Sequence, residues 1–225
     1  MTTFDFRDGN GPVAAHQHSN GGGWVADTAT VAETAYIGTD ARVYGHALVF
    51  GDALVFENAK VYGKAKVYGN AWVFENAKVY GKAKVFGDAL VYGNAKVHGN
   101  AKVCDRAQMY GNAKVYGKAK VYGNAWVFRN ALVFGDAEVC GNAKVFGYAK
   151  VSENARVFGN AKVYGNAWVF RNAIVDERIT SINRSDGYTF IYASCADGQK
   201  RILAGCRYFT MDEAVEHWTK TRGGT

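Results

Sequence analysis

Alanine recurs at every sixth position from Ala29 to Ala173 without a single interruption. Two residues after each alanine stands a valine, and Ile37 and Met109 are the two exceptions. The run contains 25 hexads with no insertion, and residues 23–25 read as one more, imperfect, hexad in front of it. A fixed period of this kind means that one structural unit is stacked on copies of itself.

The repeating unit reads Lys-Val-Tyr-Gly-Asn-Ala, as in Lys120 to Ala125. Strand side chains alternate between faces, so the valine points inward while its two neighbours point outward. The Gly-Asn or Glu-Asn pair forms a corner, where we expect Gly and Asn to adopt left-handed backbone angles. A helix is excluded because β-branched and aromatic residues fill the strand positions and a period of six matches no helical period.

Three hexads make a triangular coil of 18 residues, and stacked coils pair their strands in parallel about 4.8 Å apart. Residues 59–76 and 113–130 differ only at Glu75 versus Arg129, and the two segments are offset by a whole number of coils. This identity indicates growth by duplication of whole coils. The sequence therefore predicts an all-β solenoid of about eight coils.

The hexad also fits an aliphatic-x-x-x-small-x unit, as residues 115–120 show. In this respect the chain resembles the hexapeptide-repeat family of left-handed parallel β-helices over roughly two thirds of its length. The left hand is implied by the resemblance alone, because the general crossover rule favours the right hand. The expected fold is thus a left-handed parallel β-helix of about eight 18-residue triangular coils with a small C-terminal α+β cap.

The ends of the chain leave the hexad pattern, which divides it into residues 1–22, 23–178 and 179–225. An open coil end is an unpaired edge, so we expect the first segment to be a lead-in or cap. His16 and His18 stand in it without a carboxylate or cysteine nearby in sequence, so no metal site is predicted.

The last segment reads as a small α+β domain that docks on the final coil, since a segment this short is marginally stable alone. Residues 210–213 form a capping box that opens a helix through about Thr219. The predicted strands are residues 179–182, 188–192 and 201–205, with turns at 185–187 and 196–198.

The net charge of +7 is concentrated on the solenoid, where residues 29–175 carry 19 basic and 10 acidic residues. The sequence contains no run of 18 apolar residues, so no transmembrane helix and no membrane partner are expected. The first residues lack an apolar signal segment, and a cytoplasmic location follows as the default expectation.

Residues 18 apart lie above one another, so the outward columns can be written out. On one face, the outward side chains of five successive coils carry no charge. Together they form an apolar patch larger than a monomer normally exposes. Another subunit, the N-terminal segment or the C-terminal domain should cover it, and we expect self-association. The family resemblance favours a trimer over a dimer. The predicted oligomer interface comprises Leu54, Phe56, Trp72, Phe74, Leu90, Tyr92, Tyr110, Trp126 and Phe128.

The other two faces set a lysine column beside an aromatic column. One interpretation is purely structural, because aromatic ladders stabilise sheets and lysines keep a flat sheet soluble. In the other, an anion relieves the repulsion of stacked lysines, about 0.9 kcal/mol per pair in water. Aromatic rings stack on bases and lysines neutralise phosphates, which favours a nucleotide or other anionic ligand. The candidate ligand-binding residues are Lys60, Tyr62, Lys78, Tyr80, Lys96, His98, Lys66, Tyr68, Lys84, Lys102, Lys120 and Tyr122.

The two ends carry a second resemblance, to hexapeptide-repeat proteins of unassigned activity in bacteriophages and prophages. It implies a phage-encoded protein in the host cytoplasm. The predicted function is that of a non-catalytic, oligomeric binding protein without a cofactor. It would counter a host defence by binding a host protein or by sequestering a nucleotide-like ligand between subunits. A purely structural phage protein is an alternative. The segments that carry this resemblance are residues 10–12, 21–28, 185–190 and 204–210.

A further alternative is an acyltransferase using acetyl-CoA, an activity that many hexapeptide-repeat proteins have. The resemblance then implies a loop bulging from a coil and a catalytic histidine, yet no loop breaks the 25 hexads. His46 stands at a corner and His98 replaces a tyrosine in an outward column. We therefore predict no catalytic residue, and an acyltransferase would have to lose its activity in His46→Ala or His98→Ala.

Overall fold

The computed structural model describes residues 2–176, 181–183 and 189–222. The hexad region forms a parallel β-solenoid of about eight coils with three hexads in each, as the register Lys66↔Lys84 and Val67↔Val85 shows. Successive strands of one coil enter three different sheets. The predicted all-β solenoid with 18-residue coils and a C-terminal unit of strands and one helix is confirmed.

One sheet carries the apolar face, which we define by the outward residues Leu54, Trp72, Leu90, Gln108 and Trp126. Its strands pair in parallel from coil to coil, and each strand forms one rung of the face. The strands are Tyr36–Ile37, Leu54–Val55, Trp72–Val73, Leu90–Val91, Gln108–Met109, Trp126–Val127, Lys144–Val145 and Lys162–Val163.

The next sheet along the chain carries the first lysine face, defined by Lys60, Lys78, Lys96 and Lys114. An N-terminal antiparallel hairpin extends this sheet beyond its first coil through the pairing Ala15↔Ala26. The strands in spatial order are Thr3–Asp5, Pro12–Gln17, Trp24–Ala26, Arg42–Val43, Lys60–Val61, Lys78–Val79, Lys96–Val97, Lys114–Val115, Leu132–Val133, Lys150–Val151 and Trp168–Val169.

The third sheet carries the second lysine face, defined by Lys66, Lys84, Lys102 and Lys120. Its parallel strands are Thr30–Val31, Leu48–Gly51, Lys66–Gly69, Lys84–Val85, Lys102–Val103, Lys120–Val121, Glu138–Val139, Arg156–Val157 and Ala173–Val175. Antiparallel strands follow at Thr189–Cys195, Lys200–Ala204 and Arg207–Phe209, and Ser181–Asn183 pairs with the first of them.

The core consists of the inward alanines and valines of the hexads. Ala113 and Val115 are fully buried, as are the two exceptions in the valine column, Ile37 and Met109. Alanine points inward at the corner, where two of the three sheets meet and leave little room for a larger side chain. The core is thus a column of small residues, in which a change of one or two methyl groups disturbs the packing.

From Gly45 to Arg171, each corner turns through one residue with a positive φ angle. At Gly93, φ is 71°, and a Cβ atom there would lie only 2.7 Å from the backbone nitrogen of Gly111 in the next coil. Where glycine is absent, its place is taken by a charged residue such as Glu75 (φ 57°) or Arg129 (φ 59°).

The expectation that asparagine adopts the left-handed conformation was wrong: among the described residues no asparagine has positive φ. Asparagine occupies the following corner position and can bond from coil to coil. Asn112 Nδ2, for example, donates to Asn130 Oδ1 at 3.1 Å.

The N-terminal hairpin closes the first coil with aromatic side chains. Phe4 stacks on Trp24 with ring centroids 4.3 Å apart, and Phe6 stacks on Tyr44 at 4.9 Å. Phe6 is 1% exposed. The strands of this hairpin were not predicted, because residues 3–17 lack the hexad period from which the other strands were predicted.

The C-terminal unit pairs with the last coil through Ala173↔Cys195. The capping box is confirmed, since Thr210 N–H donates to Glu213 Oε2 (2.8 Å) and Glu213 N–H donates to Thr210 Oγ1 (3.2 Å). The helix spans Met211–Arg222 and so continues past the predicted end at Thr219. The strand Arg207–Phe209 was missed, and the predicted turn at 185–187 lies outside the described residues.

Candidate anion-binding groove

A groove of about 750 Å³ runs along the first lysine face, on the side of the lysine column that adjoins the apolar face. The hexad explains its composition, because each lysine opens a strand and an asparagine stands two residues earlier at the corner. Stacking in register turns these positions into parallel columns. The groove is lined by Arg7, Asp40, Arg42, Asn58, Lys60, Asn76, Lys78, Asn94, Lys96, Asn112 and Lys114.

Six cationic side chains and one carboxylate line this groove, and the carboxylate of Asp40 lies at the end where the solenoid begins. No acidic group in the described part of the chain forms a salt bridge with Lys60, Lys78, Lys96 or Lys114. The lysine-bearing strands repeat about every 4.8 Å. The groove is therefore a strip of closely spaced positive charge that its own protein leaves uncompensated.

The neighbouring cations contribute to a lowered pKa of Lys60. Burial lowers this pKa from its ordinary value, and the neighbouring charges of Arg42 and Lys78 lower it further. Both causes disfavour the charged ammonium group. An anion placed among these side chains would reverse the second effect, so the groove is electrostatically suited to bind negative charge.

The asparagine column supplies neutral polar groups beside the lysines. The side chains of Asn58, Asn76 and Asn94 are exposed, and within the described residues they form no side-chain hydrogen bond. Each amide offers two N–H donors and one acceptor oxygen. Sequence reasoning missed this column as part of a site, although its place two positions before each lysine is visible in the repeat.

The aromatic column of the same face forms a continuous ladder. The rings of Tyr62 and Tyr80 are 4.9 Å apart and nearly parallel, and His98 lies 4.8 Å from Tyr80 and 5.0 Å from Tyr116. Each ring therefore stacks on its neighbours with both faces. A nucleobase cannot stack on Tyr62, Tyr80 or His98 without breaking the ladder, which leaves the lysines and asparagines as the candidate anion-binding groups of this face.

His98 is the one imidazole in this ladder. Burial lowers its pKa from the ordinary value, and the charges of Lys114 and Lys96 contribute in the same direction. Within the described chain neither His98 nor His46 has a side-chain hydrogen-bond partner. A stacked, neutral imidazole among lysines is consistent with a structural role in the ladder.

The second lysine face differs in two respects. Its ladder of Phe50, Tyr68 and Phe86 stops at Cys104. A carboxylate also enters it, since Lys120 Nζ donates to Glu138 Oε1 at 2.8 Å. The candidates Lys66, Tyr68, Lys84, Lys102, Lys120 and Tyr122 belong to this sheet, apart from the groove.

Glu138 neutralises part of this second face. The hydrogen bond from Lys120 is the main cause that lowers the pKa of the Glu138 carboxyl group. Arg156 Nε also lies 3.6 Å from Glu138 Oε2, and Tyr122 donates weakly to the same oxygen at 3.5 Å. Positive charge is therefore less concentrated here than in the groove.

The apolar face has its own aromatic ladder, in which Phe56, Phe74, Tyr92, Tyr110 and Phe128 stack at 4.8–5.0 Å. Beside that ladder stand the residues that define the face. The described termini extend the two lysine sheets instead of this one. Trp72 is 43% exposed, an unusual exposure for such a large apolar side chain.

Among residues 2–176, 181–183 and 189–222, no group of three or more His, Cys, Asp or Glu side chains is placed to hold a metal ion. His16 Nδ1 instead lies 2.8 Å from Asp27 Oδ1, and His18 is bonded to the backbone of Asn20. No helix in the described chain is long and apolar enough to cross a membrane.

No family model matches this chain, and the search of curated proteins finds no match.

Proposed function

We propose that this protein is a non-catalytic binding protein whose groove along the first lysine face holds a polyanionic ligand. The observation that carries the proposal is the column of Lys60, Lys78, Lys96 and Lys114, which no described acidic residue neutralises. From Arg42 to Lys114 the column covers four strand spacings, roughly 19 Å. A chain of phosphates, as in polyphosphate or the phosphate part of a nucleotide, has matching charge and shape.

The chemistry of recognition follows from the lining groups. Ammonium groups attract phosphate oxygens without requiring a fixed geometry, and the asparagine amides can hydrogen-bond to phosphate oxygens or to a sugar. Each ring of the ladder stacks on the rings above and below it, so its faces are not open to a ligand. The proposed ligand is therefore recognised through its charge, and any base it carries would extend away from Tyr62 and Tyr80.

Two finer parts of the proposal are supported by resemblance alone. The hexad resembles the left-handed hexapeptide-repeat β-helices, and both ends resemble phage and prophage proteins of that kind. On that basis we propose a left-handed, phage-encoded, oligomeric protein of the host cytoplasm. Its role would be to counter a host defence, by sequestering an anionic signal or by binding a host protein.

Calorimetric titration with inorganic polyphosphate, nucleotides and cyclic dinucleotides tests the ligand class. Acetyl-CoA in the same series tests the acyltransferase alternative. The variant Lys78→Glu/Lys96→Glu should weaken polyphosphate binding by about tenfold or more, because it replaces attraction by repulsion at the centre of the groove. The matched control Lys84→Glu/Lys102→Glu makes the same change at the same repeat positions of the second lysine face.

Three results would count against the proposal. These are no binding of any anion by the unaltered protein, equal losses in both double variants, or binding that resists high salt despite its electrostatic origin. A thermal-shift measurement supports the titration, since a ligand at 100 times its Kd adds about 2.7 kcal/mol to the stability of the folded state.

A further inference from the structure

The apolar face has an asymmetric charge distribution along the solenoid axis. All of residues 33–166 are described by the structure. Within them, the charge on the face and its two flanking corners changes from negative to positive between the rungs of Leu90 and Gln108. The N-terminal half carries no Lys or Arg, and its acidic residues are Glu33, Asp40, Asp52, Glu57, Glu75 and Asp88. The C-terminal half carries Arg106, Arg129, Lys144 and Lys162, with Asp105 as its one acidic residue.

Several of these charges occupy costly backbone positions. Glu57, Glu75 and Arg129 have φ angles of 55°, 57° and 59° at a corner where Gly93 and Gly111 serve in other coils. A residue with a Cβ atom in this conformation costs stability that glycine would not. None of the three forms a salt bridge within the described chain. All three side chains are exposed at the edge of the apolar face, where a partner molecule can reach them.

The internal duplication points to the same two residues. Residues 59–76 and 113–130 are identical except that Glu75 in one is Arg129 in the other. Both copies place a tryptophan, Trp72 or Trp126, on the apolar face. The single difference between the copies thus reverses a charge at the edge of the face that its tryptophan occupies.

We propose that a second copy of this chain covers the apolar face, with its solenoid axis antiparallel to the first. The two-fold axis lies in the interface, perpendicular to the solenoid axes, between the rungs of Leu90 and Gln108. This operation keeps each edge of the face opposite the same edge of the partner while it reverses the order of the rungs. Trp72 of each copy then faces the rung of Trp126 in the other.

One register brings opposite charges together on both edges. On the edge next to the groove, Glu75 meets Arg129 of the partner subunit, and the symmetry makes this pair twice. On the opposite edge, Asp88 meets Arg106 of the partner subunit in the central rungs. No shift of register is needed between the two edges, which is the strongest argument for this arrangement.

Parallel arrangements bring like charges together. A two-fold axis along the solenoid places Glu57 opposite Asp52 of the partner subunit at the same level. A ring of parallel copies, including the trimer that the family resemblance favours, likewise joins acidic half to acidic half. Opposed like charges disfavour such complexes. The antiparallel dimer is therefore the assembly that the charge distribution selects, and it does not depend on the proposed ligand of the groove.

A charge-swap series tests the dimer by sedimentation velocity over a range of protein concentrations. Glu75→Arg and Arg129→Glu should each raise the dimer Kd by about tenfold or more, since each places two pairs of like charges in the interface. The double variant Glu75→Arg/Arg129→Glu should return the Kd to within about threefold of the unaltered protein, because it restores both pairs with exchanged signs.

The matched control is Glu153→Arg, which has the same backbone conformation (φ 58°) at a corner between the two lysine faces. It should leave the dimer Kd unchanged. Circular dichroism and thermal unfolding check that every variant is folded. A monomer at tens of micromolar protein, a trimer, or a double variant as weak as the single variants would each overturn the proposal.

Discussion

Glu153 holds a left-handed backbone conformation that glycine adopts at most corners of the solenoid, so replacing it by glycine should stabilise the protein. Its φ angle is 58°, and Gly117 and Gly135 occupy the same corner in the two preceding coils. In the preceding coil, a Cβ atom added to Gly135 would lie 2.8 Å from the backbone nitrogen of Glu153, so glycine is favoured there by space as well as by its φ angle. Strain at this position is therefore a local property of the corner.

The magnitude follows from two opposing contributions. The left-handed conformation costs a residue with a Cβ atom about 1–2 kcal/mol. Glycine loses more conformational entropy on folding, which offsets about 0.5–1 kcal/mol of that gain. The backbone hydrogen bond from Asp136 N–H to Glu153 O, at 2.9 Å, does not involve the side chain and should persist. The difference between the midpoints of these ranges is about 0.8 kcal/mol, and Glu153→Gly should raise the free energy of unfolding by about that amount.

Thermal unfolding followed by circular dichroism at one fixed protein concentration measures this gain. For a chain of this length the expected rise in midpoint is about 1–4 °C. Glu153→Ala is the control, because it removes the charge but keeps the Cβ atom and the strain, and its midpoint should stay close to that of the unaltered protein. If Glu153→Gly is no more stable than Glu153→Ala, the assignment of strain to these corners is refuted.

Two further predictions concern the core and the ladder. Ala113→Leu should destabilise the protein by about 1–3 kcal/mol or more, because the fully buried alanine leaves no room for a larger side chain, and urea unfolding measures this loss. His98→Tyr should stabilise the protein more at about pH 5.5 than at about pH 8. The pKa of His98 is lowered in the folded state, so the unfolded chain binds the proton first, and stability is lost as pH falls below about 6.5. Equal gains at both pH values would contradict this reasoning.

The hexad sufficed to predict the solenoid because its alanine and valine positions are the buried positions of every coil. Alanine and valine at fixed spacing leave one inward column for each sheet, and the register of three hexads follows from three sheets per coil. The same rule was no guide where the period is absent. The strand at residues 12–17 pairs with Trp24–Ala26 and the strand at 207–209 pairs with Lys200–Ala204, in antiparallel hairpins whose residues do not follow the hexad.

The candidate site was predicted in part, since the lysine column was identified but the asparagine column beside it was not. Of the two interpretations of Tyr62 and Tyr80, the structure shows the aromatic ladder, because rings repeated at the spacing of β-strands stack on one another. The asparagines, expected to supply the left-handed conformation, instead line the groove at Asn76 and Asn94. The groove depends on the stacking of corners in successive coils, whereas the columns were written out from the sequence for the strand positions alone.

The two proposed surfaces meet at one corner of the solenoid, and this relates them. Glu75, which would pair with the partner subunit, is followed directly by Asn76 of the groove. Because the proposed two-fold axis keeps equivalent edges together, the grooves of both copies would open on the same side of the dimer. Each groove extends from the rung of Arg42 to that of Lys114, one rung past the centre, so the two would overlap. They would then form one channel over seven strand spacings, roughly 34 Å. A long polyanion could bridge both copies in that channel, whereas a short one would fill a single groove.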